Sequence, residues 1–447
     1  MNVSYIDVTF LRVGCFFMRK WANRVGELGR KCYICTLDMA PGAGRQKDDT
    51  MKDIAIFTVT SPLHDAQAVT AQTAEFLNGL NVEHDFLGES YDAWGSHGLD
   101  VLFVRTGGTE GVFRRILPLL RERSRQPLVL LASQQSNSLA ASLEILSYLK
   151  QQGLEGEVVH GTPEHVSRRL NELAAVAVAR RRLATMRLGV IGEPSDWLIA
   201  SAADDEAVRQ RLGIELVHIG IDELVAGIGV QHAAEPLPQQ LPQRLAPAWQ
   251  GAVAIEMALQ QIVERYALNG FTLRCFDLLS SVQNTGCLAL ARLNARGIVA
   301  GCEGDVPAML SMAIAQAVTG TIGFQSNPAS IDVERSQILL AHCTIPLNMV
   351  QRFDYDTHFE SGIGVAIRGW MQPGPVTLFK VSGDLTRHYV AQGQLITCGD
   401  QPNLCRTQAL VTLDDPRDAT YFLTNPIGNH HILLPGHHAT ALHAVLQ

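Results

Sequence analysis

The chain has 447 residues, 47% of them hydrophobic and 18% charged, with a formal net charge of -8 at pH 7. This length predicts two or three domains, and the composition excludes a disordered or fibrous protein. The negative charge and the lack of a basic stripe predict that no nucleic acid is bound, and the lack of a long apolar run predicts that no segment spans a membrane.

The nine cysteines are odd in number and irregularly spaced, which predicts a reducing, cytoplasmic location rather than a disulfide framework. A CxxC pair at Cys32 and Cys35 has no second pair or histidines nearby and does not predict a zinc or redox site. Residues 1–50 show no periodic pattern and are predicted to be an N-terminal extension that is disordered or precedes a native start at Met51.

The first predicted domain, residues 51–185, alternates strands with helices. Short apolar runs at Ile54–Thr60, Leu99–Arg105 and Pro127–Ala132 are each followed by a turn and a helical pattern, and another strand is predicted at Glu157–His160. This alternation predicts a parallel sheet with helices on both faces. The segment TGGTEG matches neither a Walker A motif nor a dinucleotide fingerprint, which argues against a nucleotide cofactor.

The second predicted domain, residues 186–322, begins with strands at Arg187–Ile191 and Ile214–Ile219. A connector rich in Pro and Gln follows over residues 233–250, and a helix is predicted over 252–268. In residues 323–447, short strands separated by Gly, Pro and Asp predict an antiparallel sheet or barrel. The predicted fold class is therefore α/β, with two α/β domains that contain parallel sheets, followed by a mostly antiparallel β C-terminal domain.

Candidate metal ligands occur in three separated segments. Glu303 and Asp305 lie in GCEGDVPAML, His342 lies in LLAHCTIP, and His430 and His431 lie in GNHHILL. Each has an ordinary structural explanation, since a carboxylate before a helix favours the helix dipole and a strand histidine is often a hydrogen-bonded core residue. Together, oxygen and imidazole ligands favour a divalent ion such as manganese, cobalt or iron.

These segments, with THFESGIGVAIRG and LCRTQ, resemble the superfamily of L-fucose isomerase and L-arabinose isomerase, especially its divergent fucose isomerase-like branch. The resemblance covers residues 51–447 and is strongest from Leu273 onward. It implies two α/β domains and a β-rich one, with a site for Mn²⁺ or another divalent cation and no organic cofactor. It also implies a free sugar as substrate and a homo-oligomer, trimeric or hexameric, in which neighbouring subunits complete the pocket.

The metal ligands are implied position by position. Glu303 corresponds to the first metal carboxylate of the family, and His342 corresponds to a strand histidine that is a ligand in arabinose isomerases. One histidine of the GNHH turn, His430 or His431, corresponds to the ligand supplied near the C-terminus. Both histidines therefore remain candidates.

The second metal carboxylate of the family is missing from this sequence. The loop FQSNP offers Gln325 and Asn327 but no acid, so the resemblance implies that Asn327 is a neutral ligand and shares the catalytic role with Glu303. Glu360, Asp305 or a water molecule are the alternatives for the second acid or base.

Polar residues of the β-rich domain are further candidates. His358, Arg406 and Gln408 are predicted to contact the hydroxyls of the sugar or to support the residues that do. Three cysteines in the same motifs could be soft metal ligands, but small buried cysteines are usually packing residues. The packing role is predicted for Cys302, Cys343 and Cys405.

The implied activity is the aldose–ketose isomerisation of a free sugar through an enediolate intermediate. The sugar would be fucose-like, arabinose-like or a 6-substituted hexose. The alternative is a catalytically impaired sugar-binding protein on the same scaffold, because the second carboxylate is missing. A metal-assisted epimerase or lyase is a lesser alternative, which the products would distinguish.

Overall fold

Two parallel sheets and a closed antiparallel barrel follow one another along the chain. The computed structural model describes residues 51–124 and 126–446. The predicted fold class, parallel α/β sheets followed by an antiparallel β region, is confirmed. The predicted N-terminal extension and the CxxC pair lie outside the described residues.

The first sheet contains five strands. Strands β1 to β5 span Ile54–Val59, His84–Gly88, Leu99–Val104, Leu128–Ala132 and Gly156–Val159. They are all parallel, in the order β2-β1-β3-β4-β5. Helices α1 to α4 span Ala66–Asn78, Glu110–Arg123, Ser138–Gln151 and Pro163–Ala184. Apolar side chains are buried on both faces of the sheet, which the unbroken apolar character of its central strands requires.

The second sheet contains four parallel strands in the described residues. Strands β6 to β9 span Arg187–Ile191, Glu215–Ile219, Gly270–Leu273 and Val299–Cys302. Their order is β7-β6-β8-β9. Helices α5 to α10 span Asp205–Leu212, Ile221–Gly229, Ala246–Arg265, Asp277–Ser281, Cys287–Ala295 and Val306–Thr319.

The third part is a six-stranded antiparallel barrel with a two-stranded ribbon. Strands β10 to β17 span Phe324–Asp332, Gln337–His342, Arg352–Asp356, Ala366–Trp370, Gly374–Val381, His388–Cys398, Thr407–Leu413 and His431–Pro435. The barrel order is β10-β11-β16-β15-β14-β17, and β10 pairs with β17 to close it, whereas β12 and β13 form the ribbon. Helices α11 and α12 span Pro416–Thr424 and Ala439–Leu446. Short 3₁₀ turns span Tyr91–Ala93, Gln243–Leu245 and Leu347–Met349.

Every strand predicted in the two α/β regions is present, with ends shifted by no more than one residue. Strands β2, β8 and β9 were not predicted. Strand β2 is only half-buried and its sequence HDFLG shows no apolar run, whereas β8 and β9 are apolar but have only four residues each. The predicted domain boundaries stay predictions.

Helix α7 begins earlier than the pattern predicts, inside the connector expected over 233–250. It starts at Ala246 because Leu245 and Trp249 are buried in the same apolar core as the interior of the barrel. Tertiary packing thus extends the helix into a segment whose composition predicts a loop. No helix in the described residues has the length and apolarity needed to cross a membrane.

Helix α10 positions the site, because it lies between the second sheet and the barrel. Its side chains share one apolar core with strands β6, β14 and β17. The helix begins with Pro307 in its first turn, as predicted, and Asp305 is its N-cap, where the side chain accepts from Ala308 N at 2.7 Å. The N-terminus of α10 is therefore fixed beside the end of β9 and the start of β17.

Candidate functional site

Glu303 lies in the turn between β9 and α10, at the carboxyl end of a parallel strand, where open α/β sheets place their ligands. Its φ is +65°, a left-handed conformation that is uncommon for a residue with a side chain and is concentrated at functional sites. Gly304 follows at φ +71°, and a Cβ there would lie 2.7 Å from Glu193 O. The backbone is thus forced to turn sharply at this point, and Glu303 points into the protein, where it is 8% exposed.

Two histidines from the barrel meet this carboxylate. His342 is the last residue of β11, and His430 directly precedes β17. Their Nε2 atoms lie 3.6 Å and 3.4 Å from Glu303 Oε1, respectively. One donor atom from each of the three residues lies within 4.8 Å of the others, and all three residues are buried. The convergence expected from three distant segments of the sequence is therefore present.

A buried chain of charges orients His430. Its Nδ1 donates to Asp305 Oδ2 at 2.8 Å, and Lys380 Nζ lies 3.2 Å from the other oxygen of the same carboxylate. Asp305 is completely buried and Lys380 is 1% exposed. A carboxylate that binds one ring nitrogen fixes the tautomer and leaves the other nitrogen free as a ligand. In this case the other nitrogen, Nε2, faces Glu303.

The remaining polar atoms of the cluster are also held. Thr344 Oγ1 lies 3.1 Å from His342 Nδ1, so that ring too presents Nε2 to the carboxylate. Trp197 Nε1 donates to Glu303 Oε2 at 2.9 Å. One oxygen of Glu303 is thereby bound by an indole, while the other faces the two imidazoles.

The electrostatics of the cluster favour a charged carboxylate pair. Burial opposes ionisation of Glu303, but the nearby His342 and His430 hold its pKa well below the ordinary value. The pKa of Asp305 is likewise held low against burial by Lys380 and His430. Against the effect of burial, Asp305 and Glu303 raise the pKa of His430 to about 9, whereas burial lowers the pKa of His342. Both carboxylates are therefore ionised at neutral pH.

The donor set fits a divalent cation. Among the described residues, His430 Nε2 is a buried nitrogen without a hydrogen-bond partner, although it lies beside Glu303 Oε1. Such an orphaned atom calls for an explanation, and a cation shared with Glu303 and His342 provides one. One carboxylate and two imidazoles suit manganese, cobalt, iron or zinc. A cation would take the place of the proton on His430, which couples its binding to proton release.

The cysteines around the site do not add a ligand to this group. Cys302 Sγ lies 3.2 Å from Cys275 Sγ, and this contact together with burial raises the pKa of the Cys302 thiol. Cys343 is buried and Cys405 is half-buried in the same cavity wall. The packing role stays a prediction.

The cluster opens into a cavity of about 30 Å³. This volume is enough for an ion and a water molecule but far too small for a sugar ring. Phe276 packs edge-on between Trp197 and His358, with ring centroids 4.7 Å and 5.3 Å away, and Trp197 is 53% exposed. Phe276 and His358 therefore form an aromatic part of the cavity wall next to the cluster.

The segment FQSNP, predicted as a loop, forms the start of strand β10, and its two amides have different positions. Asn327 lines the cavity, and its Oδ1 accepts from Asn429 Nδ2 at 3.1 Å. Gln325 is buried and binds the backbone of Cys302 with both ends of its amide, at 2.8 Å and 3.2 Å. Gln325 thus fixes the end of β9 directly before Glu303, and Asn327 is the amide that could reach a bound ion.

The adjacent histidines of the GNHH turn point to different places. His431 Nδ1 binds Asn429 O at 3.0 Å, and its Nε2 lies 3.1 Å from Tyr421 Oη. Its ring packs against Tyr389 and Phe422, and burial lowers its pKa to about 3. Only His430 of this pair lies in the cluster with Glu303.

The predicted sugar contacts also divide into two groups. His358 and Glu360 line the cavity. Arg406 does not line it; its side chain donates to the backbone and hydroxyl of Thr357 at 2.8 Å and 3.0 Å. Gln408 is buried, and its amide binds the backbone of the loop over residues 399–405. Arg406 and Gln408 therefore hold the loops around the cavity.

Two residues of the site were missed by sequence analysis. Trp197 lies in the irregular segment between β6 and α5, where no periodic pattern signals a role. Lys380 lies in β14, whose sequence GPVTLFKV is buried from the third residue onward. A lysine inside an apolar strand requires a buried partner, and this was the signal that could have revealed the pairing with Asp305.

Exchanging the two histidines for Gln separates their roles. We expect His430→Gln to lower the affinity for Mn²⁺ by at least about 10-fold, because it removes Nε2 from the cluster. His431→Gln is the matched control, which should lower the thermal midpoint but leave the Mn²⁺ affinity within about twofold. Isothermal titration calorimetry of the metal-free proteins with Mn²⁺ measures the affinities, and thermal denaturation measures the midpoints. Loss of metal in the His431 variant alone would contradict the assignment.

Comparison with known proteins gives distant relatives. No family model matches the chain. The chain is 22% identical over 263 residues to a sulfoquinovose isomerase of Priestia megaterium, covering 55% of this chain and 59% of that protein. It is 23% identical over 239 residues to a sulfoquinovose isomerase of Clostridium sp. (strain MSTE9), covering 51% and 54%. The chain thus matches little more than half the length of these curated relatives, and the similarity supports a relationship to sugar isomerases.

Proposed function

We propose that this protein is a metal-dependent aldose–ketose isomerase that acts on a free sugar. The observation that carries the proposal is the convergence of Glu303, His342 and His430 in one buried cluster. The distant similarity to proteins named sulfoquinovose isomerases supports the same reaction class. The resemblance to the fucose isomerase-like branch rests on the sequence segments that contain Glu303, His342 and His430, and it remains part of the proposal.

The proposed ligands of the cation are Glu303 Oε1 and the Nε2 atoms of His342 and His430, with the amide of Asn327 as a neutral fourth. Mn²⁺ is the proposed ion, since oxygen and imidazole ligands both suit it. When bound, a divalent cation polarises the sugar carbonyl and the neighbouring hydroxyl, which makes the proton on the intervening carbon easier to remove. Asp305 and Lys380 support the site by fixing the ring of His430.

The proposed proton carrier is Glu360. Isomerisation removes the proton from C2 of the aldose and returns it to C1 of the ketose, while a second proton moves from O2 to O1. Glu360 lines the cavity at its outer side, and burial and the charge of Glu303 raise its pKa. A carboxyl group with a raised pKa can both accept and return a proton near neutral pH. Glu303 itself is engaged by two imidazoles and an indole.

The loop that carries Glu360 is held in place by Arg406. Besides its bonds to Thr357, the Arg406 guanidinium lies 3.5 Å from Asp356 and over the ring of Phe359 at 5.6 Å. His358 lies between Thr357 and Phe359 and lines the cavity, and burial lowers its pKa to about 4. The neutral imidazole is thus available as a hydrogen-bond partner for a sugar hydroxyl.

Solvent exchange tests the reaction. We expect the Mn²⁺-loaded protein in D₂O to incorporate deuterium at C2 of at least one aldose in a panel of arabinose, fucose and 6-substituted hexoses such as sulfoquinovose. Glu360→Gln should lower the exchange rate by about 10²-fold or more while the Mn²⁺ affinity changes by less than about twofold. Glu334→Gln, at an exposed position, is the charge-matched control. Unchanged exchange in the Glu360 variant would contradict its role.

A sugar-binding protein without turnover is the second candidate. The observation that favours it is the neutral Asn327 in the cavity wall, at a position where the resemblance predicts a second acid. If calorimetry detects sugar binding and no sugar of the panel incorporates deuterium, this second function replaces the first. If deuterium enters C2 and the product is the C2 epimer rather than the ketose, the protein is an epimerase.

A further inference from the structure

A second, larger cavity lies where three helices end. The C-terminal turns of α2, α4 and α5 surround it, with α12 beside them, and its volume is about 690 Å³. Five arginines line it, namely Arg123, Arg180, Arg181, Arg209 and Arg211. Among the described residues of its wall there is no Asp or Glu. We call this cavity the arginine cleft, and we propose that it binds a small organic anion that carries a phosphate or sulfonate group.

Two of the arginines lack a carboxylate partner within ion-pair distance in the part of the chain that the structure describes. Arg180 is half-buried and donates to the backbone oxygens of Ala444 and Val445, both at 3.2 Å. Arg181 donates to Gly95 O at 3.3 Å. Carbonyl oxygens satisfy the N–H groups but do not neutralise the guanidinium charge. Arg180 therefore holds net positive charge against the cleft, whereas the charge of Arg181 also acts on Asp100, whose pKa it lowers against the effect of burial.

The other three arginines differ in how far they are neutralised. Arg211 is exposed, and it forms no ion pair or side-chain hydrogen bond with the described residues. Arg123 and Arg209 are paired with Asp92 and Glu206, respectively. Three guanidiniums without an ion pair among the described residues thus share one cavity in a chain whose formal net charge is -8. Such a local reversal of charge concentrates anions.

Basic residues in the last turn of a helix also complement the helix dipole, and this ordinary role applies to α2, α4 and α5. It does not explain why the three helix ends share a cavity of ligand size. It also does not explain the burial of Arg180, which lowers the pKa of that side chain with no acid to compensate. A bound anion would supply the missing countercharge.

The shape and lining of the arginine cleft define the class of ligand. A guanidinium presents a planar fork that matches the oxygens of phosphate or sulfonate. Apolar side chains form other parts of the wall, among them Leu212, Leu385 and Leu446. The volume exceeds that of an inorganic ion, so the ligand carries an organic part that packs against these leucines. No residue of this cleft lines the cavity at Glu303, so the two sites are separate.

Calorimetric titration of the full-length, metal-free protein with a hexose 6-phosphate tests the proposal. We expect one site per chain, weakened by added salt as for other charge-steered binding. The double variant Arg180→Gln/Arg181→Gln should bind at least about 10-fold more weakly. Arg211→Gln, which breaks no internal contact, should also weaken binding. The matched control Arg168→Gln/Arg335→Gln removes two exposed guanidiniums elsewhere and should bind within about twofold of the original protein.

The remaining outcomes decide between this site and the cluster at Glu303. Binding that persists in Glu303→Gln and disappears in the Arg180/Arg181 double variant supports the proposal, whether or not the protein is an isomerase. Binding that disappears in Glu303→Gln alone overturns it, because the probe then occupies the candidate active site. If inorganic phosphate binds as tightly as the hexose 6-phosphate, the proposal that the ligand carries an organic part is overturned. Absence of binding at millimolar probe and low salt overturns the proposal as a whole.

Discussion

Glu303→Gln is expected to lower the affinity for Mn²⁺ by at least about 10-fold and to abolish deuterium exchange into the sugar. The reason is geometric, because Glu303 Oε1 is the carboxylate oxygen that lies within 3.6 Å of His342 Nε2 and within 3.4 Å of His430 Nε2. The amide has the same size and can still accept from Trp197 Nε1, so the variant removes the charge and keeps the packing. Elemental analysis of protein purified without added metal, together with Mn²⁺ titration, measures the effect.

The exposed Glu334→Gln controls for the loss of one negative charge. It should retain both the metal and the exchange activity. A Glu303 variant that keeps full metal occupancy and full exchange would show that the cluster is a structural ion-pair network rather than a metal centre. Loss of exchange with full metal occupancy would instead make Glu303 a catalytic acid or base that does not hold the ion.

Asp305→Asn is expected to lower the free energy of unfolding of the metal-free protein by about 3–5 kcal/mol. The side chain of Lys380 is 1% exposed, and Asp305 is the carboxylate that it contacts. Asn can still cap α10, so the loss reports the unpaired ammonium rather than the cap. The double variant Asp305→Asn/Lys380→Met should recover most of the loss, because a buried ion pair can be replaced by neutral groups at little cost.

The exposed N-cap of α11 provides the matched control. Asp415 caps that helix and pairs with Arg417 at the surface, so Asp415→Asn should cost less than about 1 kcal/mol. Urea denaturation of all four proteins measures the differences. The double variant should recover its stability but not its Mn²⁺ affinity, since His430 Nδ1 still lacks the carboxylate. Recovery of both would show that Asp305 does not position His430.

The free energy of unfolding should depend on pH in a defined direction for Asp305 and for His430. The pKa of Asp305 is lower in the folded protein than its unfolded value of about 3.9. Its contribution to stability is therefore complete above that value and is lost as the pH falls from there through the lower pKa of the folded state. The pKa of His430 is raised to about 9, so its contribution is complete below its unfolded value near 6.5 and is lost as the pH rises toward 9. The double variant should show a flatter curve at the acid end.

The adjacent histidines show where sequence reasoning reaches its limit. Consecutive residues along a strand alternate between its two sides, so one of His430 and His431 had to face away from the other. Which one faces Glu303 depends on the register of β17 against β10, where Ser326 pairs with His431. That register is set by the packing of the whole barrel and leaves no trace in the GNHH motif itself.

The roles of the amides and the arginine near the site are likewise not determined by their sequence motifs. Gln325 and Asn327 are two residues apart in strand β10, yet Gln325 binds the backbone of Cys302 and Asn327 lines the cavity. Arg406 was predicted to contact the sugar or to support the residues that do, and its side chain binds the backbone and hydroxyl of Thr357. A polar side chain in a motif can bind a ligand or a loop, and only its neighbours in space decide between the two.

The order of the parallel sheets and the antiparallel region was determined by the sequence alone, because apolar periodicity and local turn residues act within a few positions of the chain, and the residue types of the candidate metal cluster could also be read from it. The choice between an antiparallel sheet and a closed barrel was left open by the sequence and was decided by the tertiary structure. The tertiary structure decided which histidine meets Glu303, brought Trp197 and Lys380 to the site, and assembled the arginine cleft from three helix ends. Trp197 and Glu303 are 106 positions apart in the sequence, and Asp305 and His430 are 125 positions apart. Such pairs form only when separate elements pack against one another, and no local pattern in the sequence encodes the geometry of that packing.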